Sequence, residues 1–240
     1  MAEENILFHH ALRLGDDALI LGQRLSEWAG HAPMLELDLA LANIGLDLLG
    51  QATLFLALAG EVEHNGRDAD ALAFHRDALE FRNCLLVEQP NGDFAQTIAR
   101  QFLFSNWQEL LMQEIAGAPE PLLAAIGQKA MKEIAYHARF ANEWVVRLGD
   151  GTDDSRARMA AGLDWMWRFV DELFDPKDGA PSHRAEWDKR IACTLKEAGL
   201  ERPKPRRGVL GGRAGHHSEH LGHLLSEMQF LPRAYPGAVW

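Results

Sequence analysis

Apolar residues recur at helical spacing along most of the chain, and no stretch alternates apolar and polar with the period of two that marks a strand. Leu12, Leu14, Leu19, Leu21, Leu25 and Trp28 predict a first helix over Leu7–Trp28, closed by Gly30-His31-Ala32-Pro33. A second, MLELDLALANIGLDLLGQATLFLALA, begins at Met34 and runs to about Val62, where Asn65-Gly66 stops it. A shorter helix over about Asp68–Leu86 follows, ahead of a break at Glu88-Gln89-Pro90-Asn91-Gly92. Asp93 caps a fourth helix that continues to about Ala116, with Gln96 three positions on in capping-box spacing. Phe94, Ile98, Phe102, Trp107 and Leu111 are its core residues. Ala118-Pro119-Glu120-Pro121 opens a fifth helix to about Leu148, ended by Gly149-Asp150-Gly151. A sixth, Thr152–Phe174, carries Trp165, Met166, Trp167 and Phe169 on its packing side, and Pro176 to Pro181 breaks it. A seventh, about His183–Ala198, leads into GLERPKPRRGVLGGRAG, whose Pro, Gly and Arg content prevents regular structure. A last helix over about His217–Phe230 ends in the tail LPRAYPGAVW. The pattern predicts an all-α fold: an antiparallel bundle of long helices in one domain over residues 1–240, with an irregular loop near 199–215.

The second helix is too apolar for a surface, yet Glu36, Asn43 and Asp47 fall on one of its faces with Gly50 beside them. Inside a bundle such a stripe must find partners, because an unpaired buried carboxylate is costly. A di-iron carboxylate site is one way to supply them. It needs a Glu on each of two helices and Glu-x-x-His on each of two more. Here the second helix reads Asp47-Leu48-Leu49-Gly50, and glycine offers no ligand. The fifth reads Glu133-Ile134-Ala135-Tyr136, with His137 one position late and Lys132 placed to supply a positive charge where a metal would sit. The fourth offers Gln101, Ser105, Gln108 and Glu109 where a bridging Glu is wanted. The intact Glu61-Val62-Glu63-His64 lies at a helix end and is expected to face solvent. The positions Asp47, Gly50, Glu133, Tyr136 and His137 therefore read as a degenerate di-iron set. Asp47 or Glu133 is expected to meet Lys132 or Arg24 in a buried ion-paired network.

Two further groups carry candidate chemistry. His216, His217, Glu219, His220 and His223 have the i, i+3 and i, i+4 spacing that can hold zinc or iron. The same residues also suit a polar helix start that caps, pairs internally or meets a partner chain. Arg202, Lys204, Arg206, Arg207 and Arg213 form a local basic stretch, read either as a grip for an anion or acidic partner or as a solvated loop. Arg213, His216, His217, Glu219 and His220 are the interaction candidates.

Composition narrows the field. A formal net charge of -11 argues against nucleic acid as a partner. The acidic N-terminus has no apolar leader region, and no uninterrupted apolar run approaches the roughly 18 residues of a membrane span, so a cytoplasmic protein without membrane contact is expected. Cys84 and Cys193 form no CxxC pair and are expected to be buried or half-buried free thiols. There is no GxSxG elbow and no phosphate loop.

Several long stretches resemble one family. They are GQRLSEWAGHAPMLELDLALANIGLDLLGQA (22–52), LLVEQPNGDFAQTIARQFLF (85–104), KEIAYHARF (132–140), RLGDGTDDS (147–155) and GGRAGHHSEHLGHLLSEMQFLPRAYPGAVW at the C-terminus. Together they are similar to the C subunits of the bacterial phenylacetyl-CoA epoxidases, the ring 1,2-phenylacetyl-CoA monooxygenases of aerobic phenylacetate degradation. The resemblance covers most of the chain and is poor around Asp178 to Arg207. It implies a ferritin-like bundle that pairs with a homologous A subunit. That A subunit holds the di-iron centre and binds the CoA thioester, while a flavin and iron–sulfur reductase supplies electrons from NADPH. The C subunit is then a non-catalytic scaffold with no cofactor of its own, working in an oligomer. The contrasting expectation is an autonomous di-iron or zinc enzyme using Glu133, His137 and the C-terminal histidines.

Overall fold

The computed structural model describes residues 2–177, 180–204 and 207–238. Among them are ten α-helices and no strand. The helices are α1 (Ala2–Ser26), α2 (Leu35–Glu63), α3 (Ala69–Phe74), α4 (Leu85–Glu88), α5 (Phe94–Ile115), α6 (Pro121–Gly149), α7 (Asp153–Met166), α8 (Arg184–Glu197), α9 (Glu219–Met228) and α10 (Phe230–Ala234). They divide into two compact units. One contains the residues before Pro90 together with those after Leu210, and the other is Pro90–Leu210. Arg206 of the basic stretch, Asp178 and Gly179 of the predicted break, and Val239 and Trp240 of the tail lie outside the described residues.

The first unit is organised on the α1–α2 hairpin. Its turn is closed by Asp38, whose carboxylate accepts the Gly30 N–H at 3.0 Å. Glycines let the two helices approach: a Cβ at Gly22 would stand 3.2 Å from the Gly45 carbonyl, and one at Gly15 would stand 2.7 Å from Leu56 Cδ2. At its far end α2 stops at His64, in the left-handed conformation at φ 57°, one residue before the predicted Asn65-Gly66 signal. By length and averaged hydropathy, 1.5 over an 18-residue window, α2 would be able to cross a membrane, although Asn43 and Asp47 interrupt any single apolar run. In the structure 44% of that window is buried within the protein.

The helix predicted over Asp68–Leu86 is divided into α3, a 3-10 turn at Ala78–Glu80, an extended stretch and α4. The reason is tertiary. Carboxylates on α1 take backbone N–H groups of this segment, Asp16 from Arg82 at 2.8 Å and Asp17 from Cys84 at 2.7 Å, in place of carbonyls one turn back.

The second unit packs α5, α6, α7 and α8 together. Asp93 caps α5 by accepting the Gln96 N–H at 2.9 Å, as the spacing predicts, but the Gln96 side chain donates to the Pro90 carbonyl instead of completing a capping box. Glu120 accepts the Leu122 N–H at the start of α6, where Pro121 occupies the first helical position. The sixth predicted helix keeps α geometry only to Met166, and Trp167–Phe174 continues as 3-10 helix. Trp187 is wholly buried. Its indole N–H donates to the Leu103 carbonyl at 3.0 Å, and its ring lies against Trp167 and Phe174. Trp165, expected to pack, is instead 38% exposed beneath the Arg168 guanidinium.

Candidate functional site

The polar stripe of α2 does not face the interior. Glu36, Asn43 and Gly50 are exposed and Asp47 is half-buried, while Leu41, Ile44, Leu48, Phe55 and Leu56 fill the inner side. Both sides of this helix are rich in apolar residues, so periodicity alone left its orientation open. On α6, His137 is fully buried and Glu133 half-buried, but Tyr136 is 37% exposed with the Arg139 guanidinium 5.6 Å from its ring. Lys132 is exposed and is not a buried replacement for a metal charge. Arg24 donates to the Glu88 carbonyl at 2.9 and 3.1 Å, to the His220 carbonyl at 3.1 Å and to the Glu27 carboxylate at 2.7 Å. On α5, fully buried Gln101 donates to Ser105 Oγ at 2.8 Å, and Glu109 pairs with Arg190 at 2.8 Å. Glu61 and His64 are exposed, as expected.

These residues do not fit a di-iron centre. A Cβ at Gly50 would meet nothing within 4 Å, Tyr136 is turned outward, and a neutral amide stands where α5 would need a carboxylate. Among the described residues no group of three or more His, Cys, Asp or Glu side chains is arranged to hold a metal ion.

The polar core of the first unit lies elsewhere: it joins two of the interaction candidates, Arg213 and His217, to Asp16, Asp17, Arg76 and Glu88, to which sequence reasoning gave no role. Asp16 is fully buried and receives two hydrogen bonds from the Arg76 guanidinium as well as the Arg82 N–H. Its neighbour Asp17 pairs with Arg213 Nη2 at 2.6 Å, and Arg213 also donates to the Arg82 carbonyl at 3.0 Å. Burial pushes the Asp17 carboxyl up from its ordinary value, against the pull of Arg213 and the Cys84 N–H. Glu88, also fully buried, accepts from Asn83 Nδ2 at 2.9 Å, the Ser218 N–H at 2.6 Å and His217 Nδ1 at 2.7 Å. Two adjacent acids within an otherwise apolar helix were the available signal. Their partners are remote, since Asp17 and Arg213 are 196 positions apart.

The C-terminal histidines are therefore separated in role. His217 faces acceptors from both ring nitrogens, Glu88 Oε2 and, at 3.0 Å, the Phe81 carbonyl. Only an imidazolium donates to both. Burial opposes that charge, but the Glu88 hydrogen bond and charge, with the Phe81 carbonyl, prevail and raise the His217 pKa. His216, Glu219 and His223 are exposed and His220 is half-buried. The basic stretch is likewise dispersed. Arg213 is buried in its ion pair and is not in a solvated loop, and Arg202 pairs with Asp188 at 2.6 Å and lies over the Trp167 ring. Lys204 and Arg207 are exposed. Cys84 is buried, whereas Cys193 is exposed rather than half-buried.

This arrangement ties the C-terminal segment to the first unit. Arg213 and His217 are joined by Gln229, which donates to the Ala73 and Arg76 carbonyls at 3.0 Å each, and by Arg233, which donates to the Arg76 carbonyl at 2.9 Å. The network carboxylates have protein donors on them, an arrangement suited to locking chain segments together.

A family model described as "Phenylacetic acid catabolic protein" matches residues 1–240. The chain belongs to this family. The C subunit of the 1,2-phenylacetyl-CoA epoxidase of Escherichia coli (strain K12) is 49% identical over 248 residues, covering 98% of this chain and 100% of that relative. The all-α helical architecture is that of a ferritin-like phenylacetic acid catabolic protein, as the sequence resemblance implied. In this member of the family, the pairs Asp16–Arg76, Asp17–Arg213 and Glu88–His217 are the polar centre of the first unit.

Proposed function

We propose that the chain is a non-catalytic structural subunit of a multicomponent phenylacetyl-CoA epoxidase. It pairs with and stabilises a homologous di-iron A subunit in aerobic phenylacetate catabolism, in the cytoplasm and without a cofactor of its own. The carrying observation is the state of the expected ligand positions: Gly50 and Tyr136 point outward, and Gln101 is a neutral amide bonded to Ser105. Similarity to the C subunit of an epoxidase supports the assignment to such a complex. The reading as an autonomous metal enzyme loses support because His217 is engaged by Glu88 and Phe81, leaving the exposed histidines without it.

Metal analysis tests the proposal directly. The purified chain should hold well below one iron, and two tightly held irons with an oxo-bridge absorption band would overturn the reading. In the reconstituted complex, Glu133→Ala and His137→Ala should lower epoxidation only as far as they lower stability or assembly. A collapse of turnover in a fully assembled complex would make these residues catalytic.

A further inference from the structure

The inner side of α2 is consumed by its own unit, and the outer side is not. Leu39, Asn43, Leu46, Gly50, Thr53 and Ala57 are all exposed, at successive spacings of four, three, four, three and four residues. Alternation of three and four is a period of 3.5, the seam along which one helix packs lengthwise against another. The stripe spans about 27 Å at 1.5 Å per residue. Its chemistry suits a dry seam. Leu39 and Leu46 are 57% and 65% exposed, and the Thr53 hydroxyl is already donated to the Leu49 carbonyl at 3.0 Å, presenting its methyl. Gly50 has open space where a Cβ would stand, so an incoming backbone can approach closely.

Charge selects the occupant. Every ionisable residue of α2 is acidic: Glu36, Asp38, Asp47, Glu61 and Glu63. Asp38 is held by the Gly30 N–H and Glu63 by Arg67, whereas Glu36, three positions before Leu39 on the exposed line, would face its own copy in a parallel pair of identical α2 helices. An antiparallel pair matching Leu39 with Ala57 and Leu46 with Gly50 would set Glu36 against Gly60, one position from Glu61, and would bring the two Asp47 side chains within two positions of each other. Like charges therefore meet in either orientation, on a chain already at net -11.

We infer that the outer face of α2 is the docking surface for a helix of a different chain, one with an apolar and small-residue seam flanked by Lys or Arg. This rests on the reading of the protein as a subunit, and it assigns that helix to the homologous A subunit.

The test is Gly50→Trp in the full chain, with affinity for the purified A subunit measured by biolayer interferometry. The helix has room for the side chain, so the variant alone should keep the parent's circular dichroism and a Tm no lower than the parent's. Affinity for the A subunit should fall about tenfold or more, because a bulky side chain overfills a close helix contact. Glu36→Lys combined with Glu61→Lys should also weaken binding, and raising salt should weaken parental binding. Unchanged affinity in a folded Gly50→Trp chain overturns the docking surface and leaves the subunit reading standing. Failure of the parent to bind the A subunit overturns that reading and this inference with it. A parental homodimer lost in Gly50→Trp, or flotation of the parent with phosphatidylglycerol vesicles lost in the variant, overturns the choice of partner.

Discussion

Two sets of acids on the first hairpin differ in what surrounds them. On α1, Asp16 and Asp17 are almost wholly removed from solvent, and each holds a guanidinium and a backbone N–H. On α2, Glu36 is exposed and Asp47 half-buried, on the side that looks away from the hairpin core. The more conspicuous stripe in the sequence is thus the peripheral one. A pair of acids in a long apolar helix is the deeper feature, because those acids fix three remote segments at once: the Arg76 turn, the Arg82–Cys84 stretch and the Arg213 loop. A buried carboxylate in this family member is a fastener between chain segments, which the exposed Glu36 on α2 is not.

The largest expected effect comes from opening the buried set. Arg76→Ala leaves Asp16 buried without its guanidinium and should cost about 3–5 kcal/mol in unfolding free energy measured with urea. A loss below about 1 kcal/mol, as for a surface pair, would erase the distinction between the two sets of acids.

Next in size is a contrast within α2. Gly60→Ala should destabilise by about 1–3 kcal/mol, because overpacking cannot be relieved when the obstacle is backbone. The added Cβ would stand 2.1 Å from the Arg67 carbonyl oxygen. Gly50→Ala, in open space on the same helix, should instead stabilise by about 0.5–1 kcal/mol through helix propensity. Equal effects at the two positions, read as Tm shifts, would contradict the assignment of inner and outer faces.

The finest effect is a pH dependence. The His217 pKa is raised in the folded state, so its contribution is complete below the ordinary value of 6.5 and is lost as pH rises through the folded pKa. His217→Gln should remove that component. The Tm of the parent should fall more than that of the variant as pH rises above the ordinary value of 6.5 and through the raised folded pKa. Parallel Tm curves would mean that the Glu88–His217 contact carries no charge. The groups facing this ring are Glu88, the Phe81 carbonyl and, at longer range, Asp16.

Much of the helical plan was legible because its signals are local. Asp93 caps α5 and Pro121 takes the first position of α6 as the sequence predicts, and the sixth helix starts within one residue of the predicted Thr152, which turns out to cap it. The failures are equally specific. The stretch after Asp68 has helical spacing, but Asp16 and Asp17 compete for its N–H groups from another helix. The His216–His223 cluster shares sequence spacing, yet Glu88 draws His217 inward and leaves His216 and His223 outside. For the candidate site, the deficiency at Gly50 and Tyr136 was visible as residue identity, while their outward orientation was not.

Apolar periodicity and turn residues by themselves determined that this chain is all-α and where most helices begin and end, since a helix is built from contacts three and four residues apart. Residue identity also determined that Asp47-x-x-Gly50 and Glu133-x-x-Tyr136 are not Glu-x-x-His pairs. Only the tertiary structure decided which side of α2 is closed by glycine contacts with α1, and which acids are buried. It also decided that Arg213 and His217 return to fasten the first unit. Those choices depend on partners brought together across as many as 196 positions, where sequence spacing carries no geometric information.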